Sequence, residues 1–408
     1  MADGSPLKLV FLIADGMADR PVAGLDGRTP LEAAATPAMD RLAREGRMGM
    51  CRTVPDGMSP GSDVANMALL GFDPARYHTG RGPIEAAGMG LRLAPDDVIF
   101  RLNTVTVSAF ADDGLMRDYA AGHIATEASR PLVEAIGRTC CPPAYTLYPG
   151  VQYRHLLVAK GAADRAEAAV DVRPPHNITD QSIARDLAAM RGCPALWTFV
   201  TRAAAFLAGP DNVTKANAVW PWGQGRALTL PDFATVFGVR GAVVSAVDVV
   251  KGLGRAAGMT VCDVPGATGL LDTNYEGKVA AALDFLAKGD FVYLHVEAPD
   301  ECGHGGDAVG KVEAIRRFDA RVVAPMRDAL GDRAAFLVAC DHPTPLALRT
   351  HSSDPVPFVY WRPGLSPSGA TAMSEAEAAR SGCLIGAGHV LLPRVLDWTG
   401  RGAPCRSS

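Results

Sequence analysis

The chain has 408 residues, with 40 Lys and Arg against 44 Asp and Glu, and a formal net charge of −4. This length predicts two or three domains, and a composition of 48% apolar and 21% charged residues excludes a disordered chain. The near-neutral balance gives no general attraction to nucleic acid or to an anionic membrane, so a positive site for an anionic ligand has to be local.

The first predicted strand is 8–14 (KLVFLIA), a continuous apolar run that ends in an Asp-Gly pair. Such a run is typical of a strand buried on both faces, as in a parallel sheet covered by helices. A helix is predicted over 36–45, with Thr36 as its N-cap and Pro37 at its first position. The chain therefore begins with a strand and a helix of an α/β pattern.

The middle of the chain is predicted to be a separate α+β module. Its β-like runs, such as 103–108 and 154–158, are short and mix with Pro-rich turns and a helical stretch. Long apolar strands return only after this region. We therefore predict a module over 81–238 that is inserted into a catalytic domain formed by 1–80 and 239–408.

The last third of the chain returns to the α/β pattern. Its predicted elements are strands over 241–246, 291–296 and 335–339, and helices over 278–287 and 312–330. The last helix is expected to break at or near Pro325, and 401–408 to form a loose tail. Strands that alternate with helices indicate an α/β fold with a mainly parallel sheet flanked by helices.

Nine cysteines in 408 residues are too few for a disulfide scaffold and predict reduced, mostly buried thiols. The apolar run at the N-terminus is too short for a signal sequence, and no run approaches the ~18 apolar residues of a membrane helix. We therefore expect a cytoplasmic protein without a membrane partner. The sequence carries no signal for an oligomeric state.

Acidic residues and histidines follow three of the predicted strands, where a parallel sheet binds its ligands. These candidates are Asp15, Asp300, His304, Asp341, His342 and, ten residues beyond Asp341, His351. Carboxylates combined with imidazoles suit Zn²⁺ or Mn²⁺, and paired ions serve phosphoryl chemistry. An Asp after a strand is also a common turn or cap residue, so spacing alone leaves both a metal site and an ordinary structural role open.

Ser62 is the candidate nucleophile. It follows a Pro-Gly turn and precedes a helical pattern over 64–70, which places it at a helix N-terminus, where unpaired N–H groups favour phosphate. Serine is equally a favoured N-cap without any further role. Arg81, between two glycines, suits the capture of a phosphate or a carboxylate, although the signal is weak by itself.

Eight segments spread over nearly the whole chain form one pattern: ADGMAD (14–19), TPLEAAATPAMDRLA (29–43), PGSDVANMALLGFDP (60–74), YHTGRGPIEAAG (77–88), GATGLLDTNYEGK (266–278), DECGHGGD (300–307), DHPTP (341–345) and HSSDPVPF (351–358). In these segments the chain resembles the cofactor-independent phosphoglycerate mutases of the archaeal type, which belong to the alkaline phosphatase superfamily. The resemblance implies an alkaline-phosphatase-like α/β domain with an inserted α+β lid.

The resemblance also implies two divalent cations and a nucleophilic serine. One ion would be held by Asp15, Ser62, Asp341 and His342, and the other by Asp300, His304 and His351. Mn²⁺ is the preferred ion, and Zn²⁺, Co²⁺ and Mg²⁺ also suit these ligands. Ser62 would take the phosphoryl group of 3-phosphoglycerate and return it to the 2-hydroxyl of the bound glycerate, without 2,3-bisphosphoglycerate as a cofactor, in glycolysis and gluconeogenesis.

The substrate implied by the resemblance is a small phosphorylated carboxylate, and nucleic acid is not expected as a partner. In the family the lid carries basic residues that bind this substrate. The candidates here are Arg81, His123, Arg154, His155 and, outside the lid, Lys278. Ordinary surface or capping roles stay open for the lid residues.

Four segments are closer to a bacterial branch of the same family that is proposed to phosphorylate homoserine. They are AGHIATEA (121–128), GVQYRHLLV (150–158), WPWGQG (220–225) and YLHVEAPDECGHGGD (293–307). The metal core would be the same in a mutase and in such a phosphotransferase. A phosphatase or phosphonate hydrolase, and a metal-binding module without turnover, are further alternatives.

Overall fold

The computed structural model describes residues 7–91 and 93–399, so the predicted tail over 401–408 lies outside the described residues. The chain divides into two compact units. Unit 1 consists of the chain up to His78 and from Thr229 onwards, and unit 2 is Thr79–Leu228.

The strands of the described residues are β1 (Lys8–Ala14), β2 (Arg47–Cys51), β3 (Val98–Val107), β4 (Met116–Asp118), β5 (Tyr145–Tyr148), β6 (Arg154–Ala159), β7 (Ala218–Arg226), β8 (Gly241–Val244), β9 (Thr260–Cys262), β10 (Phe291–Val296), β11 (Ala334–Ala339), β12 (Val356–Trp361) and β13 (Leu384–Ile385). The α-helices are α1 (Pro30–Ala33), α2 (Pro37–Glu45), α3 (Ser62–Leu69), α4 (Pro74–Tyr77), α5 (Arg81–Gly88), α6 (Thr126–Cys140), α7 (Ala184–Arg191), α8 (Pro194–Leu207), α9 (Phe233–Phe237), α10 (Asp248–Ala256), α11 (Tyr275–Leu286), α12 (Ala298–Gly305), α13 (Ala308–Phe318), α14 (Ala324–Leu330), α15 (Glu375–Arg380) and α16 (Leu391–Trp398). None of the helices in the described part of the chain is long and apolar enough to cross a bilayer.

Unit 1 is built on an eight-stranded sheet in the order β13-β2-β12-β11-β1-β10-β8-β9. The five strands from β11 to β9 run parallel, and β12 is antiparallel to both of its neighbours. Every residue of β10 and β11 is buried, as the continuous apolar runs predict for strands covered on both faces. The predicted α/β class with a mainly parallel sheet is confirmed.

Unit 2 has an antiparallel sheet in which β3 pairs with β4, β6 and β7, and β6 pairs with β5. Its apolar core contains buried side chains of the sheet and of α6, α7 and α8, including Phe100, Ile136, Leu187 and Phe199. Sheet and helices share one continuous core, which is the condition for an independent domain.

The C-terminal boundary of the inserted module differs from the predicted residue 238. Helix α9 belongs to unit 1, because Phe233 stacks on Phe291 at 5.2 Å and Phe237 lies 5.9 Å from Phe72 between ring centroids. Prolines such as those at 221 and 231, before α9, are typical of a linker, which is why the sequence suggested a later boundary. The ring contacts place the helix in the core of unit 1. At the other boundary, Thr79 Oγ1 donates to Arg226 O at 2.9 Å within unit 2.

The cap of α2 comes from a distant helix rather than from Thr36. Asp319 accepts hydrogen bonds from Ala38 N at 3.1 Å and Met39 N at 2.7 Å, whereas the Thr36 hydroxyl donates to Asp40 Oδ1 at 3.2 Å. Asp319 begins a π-helical turn, Asp319–Val323, which separates α13 from α14. The helix is therefore interrupted shortly before Pro325, and the carboxylate at the start of the interruption caps α2.

A buried ion pair joins α13 to the loops that follow β1 and β11. Lys311 Nζ donates to Asp19 Oδ2 at 2.7 Å and to Thr344 O at 2.8 Å, and both side chains of the pair are buried. We expect Lys311→Met to lower the free energy of unfolding by about 3–5 kcal/mol, because it leaves the Asp19 carboxylate buried without a cation. Urea denaturation measures this loss. The double variant with Asp19→Leu should recover part of it, and an unchanged midpoint in the single variant would contradict the role.

Candidate metal centre

The predicted ligands meet at one edge of the parallel sheet, where β1, β10 and β11 end. Asp15 follows β1, and Gly16 N donates to Asp341 Oδ1, beyond β11, at 3.2 Å. Gly16 has a φ of +63°, and a Cβ there would lie 2.7 Å from both Asp300 Cα and Thr344 Oγ1. Only glycine fits this turn, which lets the acids after the three strands approach one another.

A first cluster contains Asp15, Asp341 and His342, all buried, with ligand atoms within 4.8 Å of one another. His342 Nε2 lies 3.6 Å from Asp15 Oδ1 and 3.4 Å from Asp341 Oδ2. The Ser62 hydroxyl lies 3.2 Å from the same nitrogen. Two carboxylates, one imidazole and one hydroxyl therefore converge as the ligand set of a divalent cation would.

A second cluster contains Asp300, His304 and His351. Asp300 and His304 lie four residues apart on α12, so both side chains occupy one face of the helix. Asp300 Oδ2 lies 3.3 Å from His304 Nε2, and Oδ1 lies 3.5 Å from His351 Nε2. Burial acts to raise the pKa of Asp300, but hydrogen bonds from the two imidazoles outweigh it and hold that pKa well below its usual range.

The three histidines are oriented alike. His304 Nδ1 lies 3.0 Å from Arg349 O, and His351 Nδ1 lies 3.4 Å from Pro60 O. Since a carbonyl only accepts, Nδ1 carries the proton in both rings, and a neutral ring then presents the Nε2 lone pair to the cluster. His342 Nδ1 faces a hydroxyl, that of Thr344, at 3.3 Å. Such outward Nδ1 contacts are typical of metal-ligating histidines.

The Asp15 carboxylate tests whether these residues fit a cation. Both of its oxygens are buried, and neither has a hydrogen-bond partner of good geometry among the described residues. Burial, followed by repulsion from Asp341 and Asp300, raises the pKa of Asp15 well above its ordinary value. A divalent cation would balance these charges and use the free lone pairs, so the residues fit a metal centre.

Helix α3 holds Ser62 at its first position, after an extended Gly61. Asn66, one turn later, donates from Nδ2 to Ser62 O at 2.8 Å and to Asp341 Oδ2 at 2.7 Å. The hydroxyl of Tyr293 in β10 donates to Asn66 Oδ1 at 2.5 Å. These contacts connect Ser62, the candidate nucleophile, to the first cluster. Asn66 and Tyr293 were not among the predicted site residues, although a polar residue inside each apolar run was the available signal.

His295, which was not among the predicted site residues, also lies beside the first cluster. It is buried in β10 with Nε2 3.1 Å from Asp15 Oδ2, and burial lowers its pKa to about 4. Lys278, a predicted substrate contact, is also buried and donates from Nζ to His295 O at 3.0 Å. Burial lowers the pKa of Lys278 to about 8. Contact between Lys278 and a substrate stays a prediction.

The other predicted substrate residues lie in unit 2. Arg81 begins α5 and pairs with Glu85 at 3.2 Å, and Arg154 is exposed with its guanidinium 5.3 Å from the Tyr153 ring centre. His123 is exposed and has a φ of 52°, in the left-handed region that a non-glycine residue rarely adopts. Strained backbone of this kind is concentrated at functional sites, which supports His123 as a candidate.

His155 does not fit the predicted role in substrate binding. It is 2% exposed, and its Nδ1 accepts from Gly150 N at 3.1 Å, so the ring serves the packing of unit 2. Burial, followed by repulsion from Arg130, lowers the pKa of His155 to about 3. The sequence could not distinguish it from its exposed neighbour Arg154, because both belong to one short strand.

Acid should destabilise unit 2 through His155. The ring takes up a proton in the unfolded chain near pH 6.5 but in the folded chain only near pH 3, so its contribution to stability is complete above pH 6.5 and is lost as the pH falls. The free energy of unfolding of the parent protein should fall between pH 7.5 and pH 5.5. In His155→Gln we expect this fall to be smaller by about 1 kcal/mol, as measured by urea denaturation at the two pH values. An equal pH dependence in both proteins would contradict the assignment.

A family model described as 2,3-bisphosphoglycerate-independent phosphoglycerate mutase matches residues 43–212. Two curated proteins of that name are similar to the chain over most of their length. The protein from Methanothrix thermoacetophila is 46% identical, and the match covers 92% of this chain and 96% of the relative. The protein from Methanosarcina barkeri is 44% identical, and the match covers 93% of this chain and 96% of the relative.

Two solved structures are similar to the whole chain. A protein of Pyrococcus horikoshii has a TM-score of 0.83 at 30% identity and covers 98% of this chain and 100% of its own. A cofactor-independent phosphoglycerate mutase of Thermoplasma acidophilum has a TM-score of 0.63 at 26% identity and covers 97% and 100%. Both likenesses extend over unit 1 and unit 2.

Proposed function

The chain belongs to the family of 2,3-bisphosphoglycerate-independent phosphoglycerate mutases, and we propose that it interconverts 3-phosphoglycerate and 2-phosphoglycerate through a phosphoserine at Ser62. The observation that carries the mechanism is the position of the Ser62 hydroxyl, 3.2 Å from His342 Nε2 in the first cluster. Relatives at 41–46% identity over most of the chain carry the mutase name.

The proposed transfer is balanced in bonds and protons. Ser62 loses its hydroxyl proton as Oγ attacks the phosphorus of 3-phosphoglycerate, the bond from phosphorus to the C3 oxygen breaks, and the leaving oxygen takes up that proton. The 2-hydroxyl of glycerate then loses its proton as it attacks the phosphoserine, the bond from phosphorus to Ser62 Oγ breaks, and Oγ takes up the proton. The start of α3, where Ser62 lies, favours an anionic phosphoryl group through the positive end of the helix dipole.

Two divalent cations would be held by Asp15, Ser62, Asp341 and His342, and by Asp300, His304 and His351. When bound, they supply positive charge for the phosphoryl oxygens and favour the ionised nucleophile. Mn²⁺ is our preferred assignment, because the sets mix hard carboxylate oxygens with imidazole nitrogens; Zn²⁺, Co²⁺ and Mg²⁺ are the alternatives. The described cysteines are free, which agrees with a reducing, cytoplasmic compartment.

Unit 2 is proposed to supply substrate-binding groups, among them Arg154. We expect Arg154→Ala to raise the KM for 3-phosphoglycerate by about 10-fold or more, because a charge-assisted hydrogen bond contributes about 1.5–3 kcal/mol. Steady-state kinetics of the isomerisation measure the effect. Arg202→Ala, which removes an exposed arginine of α8, is the matched control and should leave KM unchanged. Equal KM values for the two variants would exclude Arg154 from the site.

A phosphotransferase acting on homoserine would use the same metal core, but the names of the similar proteins do not favour it. Purified protein loaded with Mn²⁺ is given 3-phosphoglycerate in one reaction, and homoserine with ATP in another. The proposal predicts 2-phosphoglycerate in the first reaction, its loss after chelation and its return with Mn²⁺. Phosphohomoserine without 2-phosphoglycerate would refute the mutase assignment, and free phosphate as the product would indicate a hydrolase.

A further inference from the structure

Thr344 touches ligands of both clusters with a single hydroxyl. It is fully buried in the loop after β11, three residues beyond Asp341. Its Oγ1 donates to Asp300 Oδ1 in the second cluster. The same oxygen lies 3.3 Å from His342 Nδ1 in the first cluster.

The direction of these hydrogen bonds follows from the donors available. A threonine hydroxyl has one proton, and the Asp300 carboxylate only accepts, so that proton is directed to Asp300. Toward His342, the oxygen is therefore the acceptor, and the proton of the imidazole resides on Nδ1. This selects the tautomer whose Nε2 lone pair faces Ser62 Oγ, at 3.2 Å.

The position of Thr344 is fixed from three sides. Its carbonyl accepts from Lys311 Nζ at 2.8 Å. A Cβ on Gly303 would lie 2.6 Å from that carbonyl, and a Cβ on Gly16 would lie 2.7 Å from Oγ1. Two glycines thus make room for the residue, and a buried lysine anchors its backbone.

We propose that Thr344 is a positioning residue shared by both cation sites, so that loss of its hydroxyl weakens the binding of both ions together. The inference rests on the proposed function for the presence of two ions. Within residues 7–91 and 93–399, in contrast, Asn66 donates to Asp341 of the first cluster, and Arg349 O accepts from His304 of the second. Among these groups, the Thr344 hydroxyl alone acts on both.

The test is a titration of the metal-free, full-length protein with Mn²⁺ alone. Electron paramagnetic resonance measures the concentration of free Mn²⁺ at each step, and thus the binding of the ions. Thr344→Val retains the shape of the side chain and removes the hydroxyl, and Thr344→Ser retains the hydroxyl. We expect the valine variant to bind both ions about 10–100-fold more weakly, as for other groups that orient metal ligands, and the serine variant to stay close to the parent. Thr104→Val is the matched control, because Thr104 is a buried threonine of unit 2 whose hydroxyl has no partner among the described residues.

Unchanged binding of both ions by Thr344→Val would overturn the inference, and so would weakening of one site alone. If the valine variant does not fold, as judged by circular dichroism, Thr344→Ser is compared with Thr344→Ala, because this pair differs only in the hydroxyl. Two ions bound by a protein that does not isomerise phosphoglycerate would refute the proposed reaction but not this inference. Failure of the parent protein to bind two ions would overturn the inference itself.

Discussion

Replacing Ser62 with alanine is expected to reduce the turnover of 3-phosphoglycerate by at least about 10⁴-fold, because the variant lacks the oxygen that forms the phosphoserine. The fold should be retained, since the hydrogen bond of the Ser62 hydroxyl within the described part of the chain is to His342 Nε2, and the backbone of α3 remains. Kinetics of the isomerisation measure the loss. Acid-quenched protein should carry labelled phosphate in the parent and none in the variant.

Ser381→Ala is the matched control. Ser381 is an exposed serine of unit 1 that directly follows the short helix α15. Its hydroxyl donates to Ala378 O, in that helix, at 2.7 Å. This variant should keep the activity and the label of the parent. A Ser62→Ala protein that retains more than a few per cent of the parent turnover, with labelled phosphate still bound, would show that another residue accepts the phosphoryl group.

Asp15→Asn is expected to have two large effects of opposite sign. It should weaken Mn²⁺ binding by at least about 100-fold and abolish the metal-dependent activity, because the first cluster loses a charged ligand. The metal-free protein, however, should become more stable by about 1–3 kcal/mol, because the buried Asp15 carboxylate has no hydrogen-bond partner of good geometry among the described residues and lies beside Asp341 and Asp300. Urea denaturation with a chelator, and again with Mn²⁺, separates the two effects.

The control for this pair of measurements is Asp26→Asn. Asp26 is exposed and has a φ of 57°, which asparagine tolerates well, so neither stability nor Mn²⁺ binding should change. If Asp15→Asn destabilised the metal-free protein, the carboxylate would be serving the fold rather than a cation, and the assignment of the first cluster would be wrong.

The sequence predicts the parallel sheet well, because its evidence is local. The apolar runs of β1 and β11 are continuous, that of β10 is interrupted by Tyr293 and His295, and each strand is followed by acids or histidines. Asp300 and His304 are spaced by one helical turn, and the structure places them on one face of α12. Short-range spacing, together with the rule that ligands bind at strand ends, made these residues candidates for a metal site but left an ordinary structural role open.

Other features depend on contacts between distant parts of the chain, and no local pattern shows them. Thr36 occupies the predicted N-cap position of α2, but its side chain makes no capping hydrogen bond, and Asp319 supplies those bonds from 280 residues away in the sequence. Thr344 likewise acts on Asp300, 44 residues away. Arg154 and His155 are neighbours with similar chemistry, and only the pairing of β6 with β3 and β5 determines which of them is buried.

In the proposed mechanism the phosphoryl group passes from substrate to Ser62 and back to glycerate without reaching water. The most direct measurement incubates the Mn²⁺-loaded protein with 3-phosphoglycerate in water labelled with heavy oxygen, without 2,3-bisphosphoglycerate, and analyses the products by mass spectrometry. We predict 2-phosphoglycerate with an unlabelled phosphoryl group and no accumulation of inorganic phosphate. Labelled inorganic phosphate as the main product, or a requirement for added 2,3-bisphosphoglycerate, would contradict the mechanism.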